Sequence, residues 1–339
     1  MTLYPPVLSL FRAVFCTLAL CSPLQSFAQA TDKSALVEQK AAREARVAEL
    51  ELIQGAYSPE LGAAYFDLGS TLSAMGDHAA AATMFGKSLQ ALRSGKGLYE
   101  LGQLPILQSL LNANESLEHW QDVDAMHTLI YYTASHGLAP GNDTRYEAAL
   151  KLGRWKLHAA EKKLLPDNQQ PTADAIAMYK TEIHKMEAAE GSASKNLQLS
   201  TLYLDLAGAE LMEGKRIFET PLRDHDSSGQ SATVPQQQCE TIRFADGRVQ
   251  RICTMVQVPN MDFYIAKTNN KNQLISTHMN VMRDAVKQSL TVLKNEKNES
   301  AQRTELLKET DKLIRNYNDF MHMVNSTVNP KLGRSDTGK

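Results

Sequence analysis

Residues 62–95 read GAAYFDLGSTLSAMGDHAAAATMFGKSLQALRSG. Leu61, Tyr65, Leu68 and Leu72 recur at the three- and four-residue spacing of one helical face. Ser58 followed by Pro59 opens that helix, because a serine caps the free N–H groups and proline tolerates the first helical position. Gly76 supplies a left-handed stop, and Asp77 caps the next helix. Local chemistry alone therefore predicts two antiparallel helices joined by a tight turn.

Tyr65, Leu68, Gly69, Leu72, Gly76, Asp77, Ala81 and Phe85 stand at the spacing W-x2-L-G-x2-Y…A-x3-F. The window thus resembles a tetratricopeptide repeat, in which small and large residues interlock paired helices. Leu110-Leu111 follows Leu68-Gly69 by 42 residues, and Leu152-Gly153 follows by 42 more. Leu107 and Ala149 then stand at the place of Tyr65, and Trp120-x2-Val123 at that of His78-x2-Ala81. The spacing is about eight residues above the usual 34, roughly one extra turn per helix, and is similar to the longer repeats of kinesin light chains. In the third unit the first helix is expected over 144–164, a loop at 166–171 and the second helix at 173–189, with a closing helix over 195–218.

The resemblance implies a function as well as a fold. Stacked hairpins present a concave groove to a peptide or partner helix. Counting from the glycine at position 8 of the motif, groove contacts map to Phe66, Ser70 and Ser73, then Gln108, Asn112 and Glu115, then Leu150, Arg154 and Leu157, with His158 beside them. The set is mixed rather than basic, so it does not form a carboxylate clamp. Arg154 is its one clear anion contact.

Ahead of the repeat, Arg12, the apolar run Ala13–Cys21 and Ala28-Gln29-Ala30 have the order of an export signal with cleavage near Ala30. Cys21 as a lipid anchor is the weaker reading, since Leu20 before it is large. The apolar run is far short of the roughly 20 residues that span a bilayer, and no later segment is apolar enough to do so. Removing the signal takes one Arg and no acid, leaving 35 Lys+Arg against 38 Asp+Glu. There is no basic surplus for nucleic acid. A charged helix follows at 33–54, with Leu36, Val47, Leu50 and Ile53 as its apolar line and Gly55 as its stop.

Export leaves Cys239 and Cys253, which suggests one disulfide. A three-residue loop, Ala245-Asp246-Gly247, sets Phe244 against Arg248 and Cys239 against Cys253, at a non-hydrogen-bonded rung where the cysteines can join. The thirteen-residue gap between them does not suit a redox or zinc pair. Residues 220–238 are polar and read as a mobile loop. Two apolar stripes follow: Ile275, Met279, Met282, Val286, Leu290 and Leu293, then Leu306, Leu313, Tyr317, Phe320 and Val324. They predict two long helices that pack on each other or on the repeats.

No hydrolase, zincin, Walker or dinucleotide motif occurs. His119, His127 and His136 are loosely grouped, and no cysteine or carboxylate pattern joins them into a metal site. The expected architecture is all-α: a tetratricopeptide-like helical-hairpin solenoid with a small disulfide-closed β-hairpin and a C-terminal helical pair. Its segments are a signal at 1–30, repeats at 31–219, polar loop and hairpin at 220–270, a helical hairpin at 271–328 and a disordered tail at 329–339. The expected function is a non-enzymatic, exported, periplasmic or secreted adaptor for a protein or peptide, with no cofactor. The alternative is an envelope scaffold subunit that self-associates through its C-terminal helices.

Overall fold

The computed structural model describes residues 22–54, 58–189, 195–296 and 300–328. The apolar run of the expected export signal, Cys21, Gly55 and the 329–339 tail lie outside them. The chain divides into two compact units, one ending at Gly137 and the other beginning at Leu138. The 31–219 segment is therefore split between two bodies, and the C-terminal helices belong to the second.

The first unit holds α1 (Ser22–Gln54), α2 (Pro59–Ala74), α3 (His78–Lys96), α4 (Leu104–Ser116) and α5 (Trp120–Gly137). The Ser58 hydroxyl accepts from the Leu61 amide and Asp77 caps α3 through the Ala80 amide, as the sequence requires. The α2–α3 interlock is tight: a Cβ added at Gly69 would lie 2.8 Å from the Phe85 ring and 3.3 Å from the Ala81 carbonyl oxygen. The 42-residue register also governs the turns. Gly76 closes α2 with φ +83°, and Glu118, 42 residues on, closes α4 with φ 56°. In both turns an amide reaches back to a last-turn carbonyl, Asp77 to Leu72 at 2.9 Å and His119 to Asn114 at 3.0 Å. The length is unevenly shared: α2 has 16 residues, α3 has 19 and α4 has 13, with the segment 97–103 and its 3-10 turn between α3 and α4.

On α1, Val47 and Leu50 are buried against the hairpin core of Leu61, Tyr65 and Leu68. Ile53, expected on the same line, is 70 % exposed. Two residues before it, Glu51 accepts from the Tyr65 hydroxyl, which ties α1 to α2. Burial first, then the Glu51 carboxylate, pushes the phenol up to about 12.

The second unit holds α6 (Asp143–Lys162), α7 (Pro171–Ala188), α8 (Lys195–Glu219), β1 (Thr233–Arg243), β2 (Val249–Pro259), α9 (Met261–Asn295) and α10 (Ala301–Val328). Its α6–α7 pair repeats the glycine interlock. A Cβ at Gly153 would stand 2.2 Å from the tip of the Tyr179 ring. Ala175 and Tyr179, both fully buried, supply the A-x3-aromatic element that Ala81 and Phe85 supply in the first repeat. Arg145 and Glu182 tie α6 to α7 in a buried fork, Nε to Oε1 at 2.6 Å and Nη2 to Oε2 at 2.9 Å.

The methionine stripe of α9 is buried against α7, α8 and α10: Ile275, Met279, Met282 and Val286 share one core with Tyr179, Leu202 and Phe320. Glu210 of α8 is fully buried between Lys180 Nζ at 2.7 Å and His278 Nδ1 at 2.5 Å, which joins α7, α8 and α9. Burial acts to raise that carboxyl, and the two partners outweigh it, holding it below its ordinary value. Two boundaries differ from expectation. The 220–238 stretch gives way to strand at Thr233, and α9 begins ten residues before 271, where the Asn260 side chain accepts from the Asp262 amide.

The ribbon of β1 and β2 has the expected register, with Arg243 opposite Val249 and Cys239 opposite Cys253. Phe244 donates to the Arg248 carbonyl at 2.9 Å across the three-residue loop, where Gly247 takes φ +84°. The bridge Cys239–Cys253 spans Cα atoms 3.9 Å apart. Phe244–Arg248 and Ala232–Asn260 are hydrogen-bonded pairs, so alternation places Pro235 and Pro259 where a backbone nitrogen faces away from the partner strand. Neither proline removes a ladder bond.

No residue of β1 or β2 is buried, and an isolated two-stranded hairpin is marginal in water. The crosslink therefore supplies much of the ribbon's order, at about 3 kcal/mol for a loop of this length. Reduction should strip hydrogen-exchange protection from the amides of 233–259 and leave the helical melting transitions in place. A fall in helical melting temperature on reduction would show that the ribbon braces the body.

Candidate functional site

Six of the expected contact residues lie in the first unit, on the first helices of consecutive hairpins. Phe66 is half-buried with its ring 5.6 Å from that of Phe85. Ser70, one turn on, donates to the Phe66 carbonyl at 2.9 Å, and Ser73 is half-exposed. On α4 the Gln108 side chain donates to Asn112 Oδ1 at 3.0 Å, and Asn112 and Glu115 are exposed. The opposite faces of the same helices hold Leu61, Tyr65, Leu68, Leu107 and Leu110 in one core. Amphipathic burial thus decides which face of α2 and α4 meets solvent.

A second feature of α2 was not legible in the sequence. A cavity of about 260 Å³ lies between α1 and α2, lined by Arg43, Arg46, Leu50, Glu60, Ala63, Ala64 and Asp67. Arg43 crosses between the helices, donating to the Asp67 carbonyl and to Thr71 Oγ1 at 2.6 Å. The only sequence signal was Arg43 and Arg46 at helical spacing on the charged helix, which is also what an ordinary solvated face looks like.

The third unit departs from the expected set. Leu150 is buried in the second unit's core and is not presented to a partner, and Leu157 is half-buried against that core as Phe66 is against the first. Arg154 is not an open anion contact. Its Nε donates to Asp205 Oδ2 at 2.9 Å and its Nη2 to Oδ1 at 3.4 Å, and the Tyr179 hydroxyl donates to the same carboxylate at 3.4 Å. Burial pushes the Asp205 carboxyl up, with Arg154 pulling against it. Through Asp205, α8 carries its own acid to the position an external anion would take. His158 is exposed, its ring 6.3 Å from Trp155.

The histidines do not gather. His119 is exposed 3.9 Å from Asp122, and His136 stacks on Tyr99 at 4.1 Å. Among the described residues no group of three His, Cys, Asp or Glu is placed to hold a metal, and no helix is long and apolar enough to cross a membrane.

No family model matches the chain, and no curated protein matches it. Among solved structures it is similar to a Podosopora anserina putative kinesin light chain with nearly identical TPR-like repeats. The match is 13 % identical and covers 57 % of this chain and 85 % of that chain, with a TM-score of 0.40. A single-substitution form of that protein gives the same values. A likeness of this extent identifies no ligand and no partner.

Proposed function

We propose that this chain is an exported, non-enzymatic adaptor that holds a peptide or partner helix on the exposed face of α2 and α4. One observation carries the reading. Phe66, Ser70, Ser73, Gln108, Asn112 and Glu115 occupy equivalent positions in two consecutive hairpins, and the side-chain hydrogen bonds of Ser70, Gln108 and Asn112 are made to each other or to their own helix. Polar groups satisfied this locally can exchange their bonds for those of a ligand at little cost. The residues before Ala30 support export. The alternative, a scaffold joined through the C-terminal stripe, has less support, because Ile275, Met279, Met282, Val286 and Leu293 are buried within the same chain.

The test places bulk and charge on the face without touching the core. The double variant Ser73→Arg, Asn112→Arg should lose the partners that the unaltered chain retains from an envelope extract, quantified by mass spectrometry. Its helicity should not change, since exposed substitutions move stability by about 0.5 kcal/mol or less. Undiminished capture by a folded double variant would remove α2 and α4 from the interaction.

A further inference from the structure

The second unit contains a cavity of about 340 Å³ where the α6–α7 loop meets the end of α8, lined in part by Lys163, Asp167, Thr172, Ala173, Glu213 and Arg216. It opens on the start of α7, a helix of 18 residues whose N-cap, Gln170, makes no side-chain capping bond. Pro171 brings no N–H, and the amides of Thr172 and Ala173 have no intrahelical acceptor. The aligned peptide dipoles add about half a positive charge at this end.

The Thr172 side chain is an independent sign of a ligand. It is 4 % exposed, lines the cavity, and has no hydrogen-bond partner among the described residues. Other helical threonines return their hydroxyl to the carbonyl four residues back, as Thr181, Thr201, Thr277 and Thr310 do. Thr172 cannot, because the residue four places before it lies in the loop ahead of the helix. A hydroxyl with no protein acceptor, on an otherwise enclosed side chain that lines the cavity, stands beside two amides with no intrahelical acceptor, a donor set that an anion can use.

The charges narrow the class. Arg216 grips Glu213 through Nε at 2.9 Å and Nη2 at 2.5 Å, so that pair is closed on itself. Lys163, which ends α6 at φ 53°, and Asp167 have no ion-pair partner among the described residues. The lining therefore sums to no net formal charge, with a positive helix end. With Glu213 held by Arg216, Lys163 offsets Asp167 and the helix end is the remaining positive charge, so a single carboxylate leaves a smaller excess of negative charge than a dianion would.

We propose that this cavity binds a small molecule through a carboxylate, held by the Thr172 hydroxyl, the Thr172 and Ala173 amides, and Lys163. The probe is acetate, added to the isotope-labelled full chain and followed by amide NMR, with chloride at equal ionic strength as reference and inorganic phosphate as the competing anion. Acetate should shift the Thr172 and Ala173 amides saturably. Thr172→Val and Lys163→Gln should each weaken that binding by about fivefold or more, the effect of one lost hydrogen bond or charge contact. Thr172→Ser, which restores the hydroxyl, should bind as the unaltered chain does. The proposal is overturned if acetate gives no saturable shift beyond chloride, if phosphate binds more tightly than acetate, or if either weakening variant keeps full affinity in a chain whose remaining spectrum is unchanged.

Discussion

Glu182→Ala should destabilise the second unit by about 3–5 kcal/mol, because it leaves the Arg145 guanidinium buried without its carboxylate. Both side chains are almost wholly enclosed, at 4 % and 1 % exposure, so water cannot take the place of the lost partner. Domains of this size are stable by only about 5–15 kcal/mol, so the loss is a large part of the total. Denaturant unfolding should therefore show the second unit melting early while the first keeps its midpoint. A further comparison separates the pair from its parts. The double change Arg145→Met with Glu182→Leu should regain most of the loss, since apolar residues of similar volume often replace a buried ion pair without cost. If the single change is as stable as the original, the fork is not what joins α6 to α7.

Gly153→Leu should be the next most damaging change. Even the first carbon of a side chain there would overlap the tip of the Tyr179 ring, which is fully buried and has its hydroxyl on Asp205. The ring cannot swing aside without breaking that contact and uncovering Leu202 and Leu206 in the same core. Overpacking of this kind costs about 1–3 kcal/mol and occasionally more. The same change at Gly69 should cost less, since the added carbon would stand 2.8 Å from the Phe85 ring rather than 2.2 Å from a ring atom, and Phe66 beside it is only half-buried. Thermal unfolding of the two single variants checks the order. A smaller loss at Gly153 than at Gly69 would contradict the packing.

The hairpin at 59–96 and the cysteine register were legible because each rests on short-range rules: caps, a stop, a packing glycine, and the alternation of rungs in a ribbon. The second half of the third repeat was harder to read. Its Ala175 and Tyr179 match Ala81 and Phe85, but the 163–170 loop places Tyr179 26 residues after Gly153, where Phe85 follows Gly69 by 16. Counting at a fixed period steps over such an insertion. Carrying groove positions across that unit failed for a different reason. Leu150 is covered by elements far along the chain, and Arg154 meets Asp205 across 51 residues, a pairing that no local pattern announces. The first three turns of α9 were missed because Met261, Tyr264 and Ile265 point to solvent and belong to no buried stripe.

Pro235 and Pro259 sit near the base of the ribbon, one on each outward edge. A bare strand edge is a template on which other chains can polymerise, and this ribbon presents two of them beside exposed Val234, Ile252 and Met255. A strand added along either edge would find a missing donor and a ring in its path there. The two prolines thus act as gatekeepers against amyloid-like growth, a safeguard that stability measurements on the single molecule would never register.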